Sequence, residues 1–339
     1  MKSLVSFFVA VACADVVSSV PMGKHHHGGF EWSKNEIVFG FGDSYTFTQG
    51  QYGLTNYSWN TFQNLDKHGQ VIVKEDPIIL NAVSVHNCSI NDDEQITYEF
   101  KTSAGLPSKC KHSLYNIAFA GADIDPTKTT LHHNFSIDYV TQIDQWFKYV
   151  KPAVHYESSK TLAASFIGIN DVSDTSKWTN VSFPDFFDGL IASVFDGLER
   201  LHGAGIESFL ILNVPPVDKA PGGGGKPALT TNIATYNSIL SNYTMTFAKN
   251  HTESNVFFVD TNMIFNSILA NASSYGFKNT TGYCPEYDAP DFNTNYTAYG
   301  CLAPYEYFWY NTGHVTYPVH KLLADQISDM LNSGTTVNK

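Results

Sequence analysis

Basic residues are scarce. Lys and Arg number 20 against 32 Asp and Glu, for a formal net charge of −12. So acidic a chain repels phosphate backbones and anionic lipid, which makes nucleic acid and anionic membrane surfaces poor partners. A small neutral substrate, such as an uncharged ester or glycan, fits better. Charge of either sign is thin at 15%, while aromatic residues reach 14% and hydrophobic residues 43%. A disordered chain has the opposite balance. The length of 339 residues is enough for one large core or two small ones. Beyond residue 14 no apolar run is long enough to span a bilayer, so no integral membrane segment is expected in the mature chain. There is no internal repeat. Gly-x-Ser-x-Gly is missing, which argues against the strained nucleophile elbow of α/β-hydrolases. His-Glu-x-x-His is missing too. The run Pro221-Gly222-Gly223-Gly224-Gly225 lacks a following Gly-Lys-Ser/Thr, so it reads as a flexible loop and not a phosphate cradle.

Cysteine is also rare, with five in all. One of them sits in what reads as an export signal. Lys2 gives a positive start, Leu4 to Val11 is a short apolar run, and Ala12-Cys13-Ala14 is a small-x-small cleavage pattern. A buried N-terminal helix is the competing reading. Removal of residues 1–14 leaves Cys88, Cys110, Cys284 and Cys301. An even number in an exported chain suggests two disulfides, and four cysteines allow three pairings. The local pairs Cys88–Cys110 and Cys284–Cys301 are favoured, because each staples a loop-rich segment. N-x-Ser/Thr triplets begin at Asn56, Asn87, Asn134, Asn180, Asn242, Asn250, Asn271, Asn279 and Asn295. Some arise from the Asn and Thr richness of the chain. Together with the signal they point to a secreted, extracellular glycoprotein.

Residues 15–34 read as a variable leader. Its His25, His26 and His27 could bind a metal ion weakly, but a solvated polar segment is the better reading, since a metal site needs fixed geometry. Residues 35–332 form a single domain and 333–339 a tail. Short apolar strands are expected at Ile37 to Phe41, Leu114 to Phe119, Leu162 to Ile169, Phe209 to Val214 and Val256 to Val259. Helices are expected near 137–151, 184–203, 228–250 and 261–275, and from Pro318 to Leu331. Asp144, Trp146, Phe147 and Val150 show the three-to-four spacing of a half-buried helix. This alternation predicts an α/β fold, a three-layer α/β/α sandwich with a mostly parallel sheet. Ligands bind such sheets at the carboxyl ends of their strands. Segments 52–110 and 276–306 interrupt the alternation and read as long, disulfide-tied loops over that edge.

Four polar positions follow the strands or precede the last helix. Gly42-Asp43-Ser44 places a hydroxyl at a strand-to-helix junction, although Gly-Asp-Ser also makes ordinary turns. Gly121 ends the second strand, where a glycine lets backbone N–H groups approach a ligand closely. Asn170, in Gly168-Ile169-Asn170-Asp171, offers an amide with two donors, or else a helix cap. Asn311-Thr312-Gly313-His314 precedes the last helix. His314 could take a proton from Ser44. His320 competes with it, but lies a turn or more into the helix.

In this order the four blocks resemble the SGNH, or GDSL-type, hydrolase family. Asn213-Val214-Pro215-Pro216 is similar to a stretch common in plant and fungal members. Phe39 to Thr48 and Tyr115 to Asp125 look most similar to fungal secreted carbohydrate acetylesterases. The resemblance implies ester hydrolysis through an acyl-Ser44 intermediate, with His314 as base. It also implies an oxyanion hole from the Ser44 N–H, the Gly121 N–H and the Asn170 side chain. It implies no metal and no organic cofactor. The aromatic stretch Tyr296, Tyr299, Tyr305, Tyr307, Phe308, Trp309 and Tyr310 could pack on sugar rings or be ordinary core. Two alternatives stay open, a lipase or phospholipase of the same family and a catalytically weak glycan-binding module. Oligomeric state is left undetermined. Two departures stand out. Asn311 occupies the place where relatives usually carry Asp, so it orients His314 without charge unless Asp43 or Asp171 serves instead. Ala120 replaces a common Gly.

Overall fold

The computed structural model describes residues 30–47, 113–289 and 291–337. The export signal, most of the leader, the segment 52–110 with Cys88 and Cys110, and the sequons at Asn56 and Asn87 lie outside the described residues.

Five parallel strands form one sheet among the described residues, in the order β2-β1-β3-β4-β5. They are β1 (Ile37–Gly42), β2 (Ser113–Asn116), β3 (Thr161–Phe166), β4 (Ser208–Leu212) and β5 (Asn255–Val259). Every residue of β1, β3 and β4 is buried. That explains why they read as continuous apolar runs and not as alternating ones. Strands β2, β3 and β4 end earlier than their apolar runs. Ile117 and Phe119 still donate to Gly40 and Gly42 after β2 has closed. Ile169, expected at the end of a strand, instead opens a helix.

Among the described residues the helices of six residues or more are α1 (Tyr139–Gln145), α2 (Ile169–Asp174), α3 (Phe183–Gly203), α4 (Pro227–Asn250), α5 (Thr261–Ala270) and α6 (Tyr317–Ser333). Asp138 caps α1 by accepting from Thr141 N–H, and a π-helical turn at Trp146–Val150 extends it. In α3, Pro184 occupies the first turn and Phe187, Leu190, Ile191, Val194, Leu198 and Leu201 bury one stripe. Helices α1, α3 and α4 pack together, while α5 pairs with α6. The helix expected over 261–275 stops at Ala270, where the chain tightens into a 3-10 turn at Ala272–Tyr275.

Both ends of the described chain join the core. Phe30 and Trp32, assigned by sequence to the leader, are buried, and Phe30 meets Phe257 edge-on at 5.0 Å. After α6 the chain returns to β5, where Val337 N–H donates to Val256 O at 2.8 Å.

Strand order sets the location of the site. The chain leaves β1 toward β2 on one side and later adds β3 on the other. The crevice outside the carboxyl ends of β1 and β3 is therefore the switch point where such sheets receive ligands.

Candidate active site

Ser44 follows β1 at that crevice and is partly exposed. Its turn is held from three sides. Gln142 of α1 clamps Gly42, accepting from its N–H at 2.9 Å and donating to its carbonyl at 2.8 Å. Gly42 has φ +151°, and a Cβ there would lie 2.1 Å from Phe166 O. Asp43 folds back to accept from Tyr45 N–H at 2.9 Å and also accepts from Ile169 N–H. One buried carboxyl thus ties the Ser44 turn to the start of α2. Burial raises Asp43 from 3.8 to about 7.

His314 reaches this hydroxyl from the far end of the chain, with Nε2 2.8 Å from Ser44 Oγ. Its Nδ1 lies 3.0 Å from Asn311 Oδ1. The same oxygen accepts from Gly313 N–H at 3.0 Å and His314 N–H at 2.9 Å. Two backbone donors fix this atom as the carbonyl of the amide. Nδ1 must then carry the proton, leaving Nε2 free to accept from Ser44. No carboxylate among the described residues shares a hydrogen bond with His314. Asp43 is engaged as above, and Asp171 accepts from Ile124 N–H at 3.1 Å. Neither alternative to Asn311 serves the ring. Burial of the imidazole without a counter-charge lowers its pKa from 6.5 to about 4. His320 lies in α6, buried, with its ring edge-on to Tyr45 at 6.0 Å, and it makes no hydrogen bond to Ser44.

The proposed oxyanion donors stand at the same edge. Gly121 has φ +72°, which suits glycine. Asn170, in the first turn of α2, donates one amide hydrogen to Ala122 O at 2.8 Å. The turns carrying Gly121 and Asn170 are joined twice, by this bond and by Asp171 to Ile124.

Three supports escaped the sequence reading. Tyr45 stacks on the His314 ring at 5.4 Å and 27°, and its hydroxyl donates to Gly313 O at 2.6 Å. Its position beside Ser44 was the available signal. The glycine run at 221–225 is built into the site, because Gly222 N–H donates to Thr312 O at 2.7 Å. His132 lies over Gly121 and is held by Asp174, with Nδ1 to Oδ2 at 2.6 Å, a bond that raises its pKa. An exposed His-His pair in a turn carries no pattern that reveals this.

The segment after α5 buttresses the catalytic turn. Cys284 and Cys301 are bonded. Phe308 and Trp309 are fully buried and Tyr307 nearly so, so of the two open readings these three are core. Trp309 bridges Val315, and Tyr310 N–H donates to His314 O at 2.8 Å. Tyr299 and Tyr305 remain exposed. Of the sequons, Asn134, Asn180, Asn242, Asn250, Asn271 and Asn295 are exposed, while Asn279 is half-buried in a turn where it accepts from Gly282 N–H. A group able to ligate a metal, Glu199 with His202 and His251, lies away from these residues. No helix among the described residues is long and apolar enough to cross a membrane.

A serine and a histidine thus lie paired at the switch point of a parallel sheet. Residues 38–327 match the family described as GDSL-like Lipase/Acylhydrolase, and the chain belongs to that family. It is a carboxylic ester hydrolase. A protein named acetylesterase from Thermothelomyces thermophilus is 24% identical over 240 residues, 68% of this chain and 71% of that one. Among solved structures, an acetylxylan esterase from Geobacillus stearothermophilus aligns over 87% of this chain and 94% of its own, with 13% identity and TM-score 0.42. An alpha/beta hydrolase enzyme from the metagenome of Lake Arreo, Spain, aligns over 89% and 97%, with 13% identity and TM-score 0.46.

Proposed function

We propose that the chain removes acetyl or other short acyl groups from sugars through an acyl-Ser44 intermediate. The observation that carries this reading is the 2.8 Å contact between Ser44 Oγ and His314 Nε2, with the imidazole tautomer set by Asn311. Ser44 Oγ attacks the ester carbonyl while its proton passes to His314 Nε2. The carbonyl oxygen gains charge and is held by the Ser44 N–H, the Gly121 N–H and the free amide hydrogen of Asn170. As the tetrahedral centre collapses, His314 returns the proton to the departing alcohol. Water then attacks the acyl group, with His314 again as base, and the acid and free Ser44 result. The acetylesterase from Thermothelomyces thermophilus supports the choice of acyl group.

The test is hydrolysis of p-nitrophenyl esters from acetyl to palmitoyl. Activity is expected to peak at the shortest chains and to vanish in Ser44→Ala with thermal unfolding nearly unchanged. A peak at long chains would make the enzyme a lipase. Activity retained in Ser44→Ala would remove the nucleophile assignment.

The export signal and the exposed sequons support a secreted glycoprotein. Sequencing of the mature N-terminus and an endoglycosidase mass shift test that reading. An uncleaved, unglycosylated product would overturn it.

A further inference from the structure

At the opposite end of the sheet, four side chains converge that ester hydrolysis does not use. Helices α3 and α4 both end there, just ahead of β4 and β5. His202 lies in the last turn of α3, and His251 follows α4 directly. Their rings stand 4.0 Å apart between centroids. Glu199, one helical turn before His202, presents both carboxylate oxygens 2.9 Å from His251 Nε2. Glu253 lies 3.5 Å from His202 Nε2 and 4.0 Å from His251 Nδ1.

One ligand atom each from Glu199, His202 and His251 fit within 4.8 Å of one another. Tetrahedral zinc with bonds of about 2.0–2.1 Å separates its ligand atoms by about 3.3 Å. The remaining closure falls to the mobile members. The carboxylates are 48% and 63% exposed, whereas the imidazoles are only 23% and 16% exposed. The imidazoles are held by their surroundings. Phe247 packs 4.6 Å from the His251 ring and edge-on to His202 at 6.3 Å, and Phe209 backs His202. His251 N–H donates to Phe247 O, and Ser254 N–H donates to His251 O, so backbone fixes this corner on both sides. Polar ligands inside an apolar shell are the usual setting of a metal centre. Two imidazoles with a carboxylate suit a borderline divalent ion over calcium or magnesium. The carboxylates would balance its charge.

We propose that Glu199, His202 and His251 bind zinc and clamp the ends of α3 and α4 together, with Glu253 beside the ion to balance its charge. The competing account is a pair of histidine–carboxylate hydrogen bonds with no ion.

Zn²⁺ is titrated calorimetrically into the full chain carrying His25→Ala, His26→Ala and His27→Ala, which removes the leader histidines as competitors. A single zinc is expected to bind. The melting temperature should rise by roughly 3–5 °C at zinc about a hundredfold above Kd. His202→Gln with His251→Gln should weaken binding by ~100-fold or more and abolish the rise, with esterase activity retained. Should that variant fail to fold, Glu199→Gln with Glu253→Gln changes only exposed carboxylates and should weaken binding by at least ~10-fold. No zinc binding by the parent chain, or affinity unchanged in the folded variants, would overturn the proposal.

Discussion

Asn311 concentrates the chemistry of the site in one side chain. In the serine-protease triad, replacing the corresponding Asp by Asn costs about four orders of magnitude in turnover, because the imidazole takes the wrong tautomer. Here two backbone N–H groups lock the amide carbonyl toward Nδ1. The tautomer is therefore correct, and only the charge is missing. Without that charge His314 titrates near 4. Only the neutral ring can accept from Ser44, so kcat/KM should hold through weakly acidic pH and fall as His314 protonates near about pH 4. Asn311→Asp should move that acidic limb upward and raise the plateau rate. A pH–rate series on one acetyl ester checks both, and an unshifted limb would show that residue 311 does not govern the base. Asn170→Ala should lower kcat by ~100-fold or more, the usual loss for one oxyanion donor. That Ser44, His314 and Asn311 belong together was legible, because each sits in a short motif at an element boundary, and the structure brings the three side chains into contact. Tyr45 and His132 were not, since their roles depend on which distant turn folds over them.

At the level of elements, His314 hangs on a turn with no regular structure of its own. That turn is gripped by the 221–225 loop, by the Trp309–Val315 bridge and, behind them, by the segment closed by Cys284–Cys301. A Cβ on Gly222 would stand 2.8 Å from Thr312 O. Gly222→Ala should displace the turn and lower kcat by roughly 10- to 100-fold, as small misplacements do, with little change in melting temperature. Steady-state kinetics and a thermal scan separate the two effects. Cys301→Ala opens a loop of 17 residues and should destabilise the fold by ~3 kcal/mol in denaturant unfolding. The pairing was legible from the spacing of the cysteines. The contact of the glycine loop with the His314 turn was not legible, because composition reports conformational freedom and not the contacts a loop makes. The aromatic cluster was ambiguous for a related reason. Tyr, Phe and Trp serve equally as core and as platform, and only packing decides.

At the scale of the molecule, the alternation of strands and helices was legible because both periods are written in the apolar residues. Strand order was not, since a parallel sheet places sequence-distant strands side by side. One consequence of the buried site concerns pH. Asp43 titrates near 7 and Asp123 near 6, both above their ordinary 3.8, and Asp171 is raised as well. Their contribution to stability is full at low pH and lost as pH rises through those values. His314 and His320 shift the other way, so their contribution is lost as pH falls below the ordinary 6.5 toward their folded values. The melting temperature should therefore peak in the weakly acidic range, higher at about pH 5 than at about pH 8. The net charge of −12 adds self-repulsion at the alkaline end. A flat profile in thermal scans would contradict the buried-carboxyl account.

The two reacting atoms are separated by 270 positions along the chain. Ser44 is made first, and the segment 276–310 and then His314 follow it in order along the chain. A nascent or prematurely terminated chain therefore carries a hydroxyl with no base. Under the proposed roles, hydrolytic competence arrives in a single event, when residue 314 has been added and folds back onto residue 44.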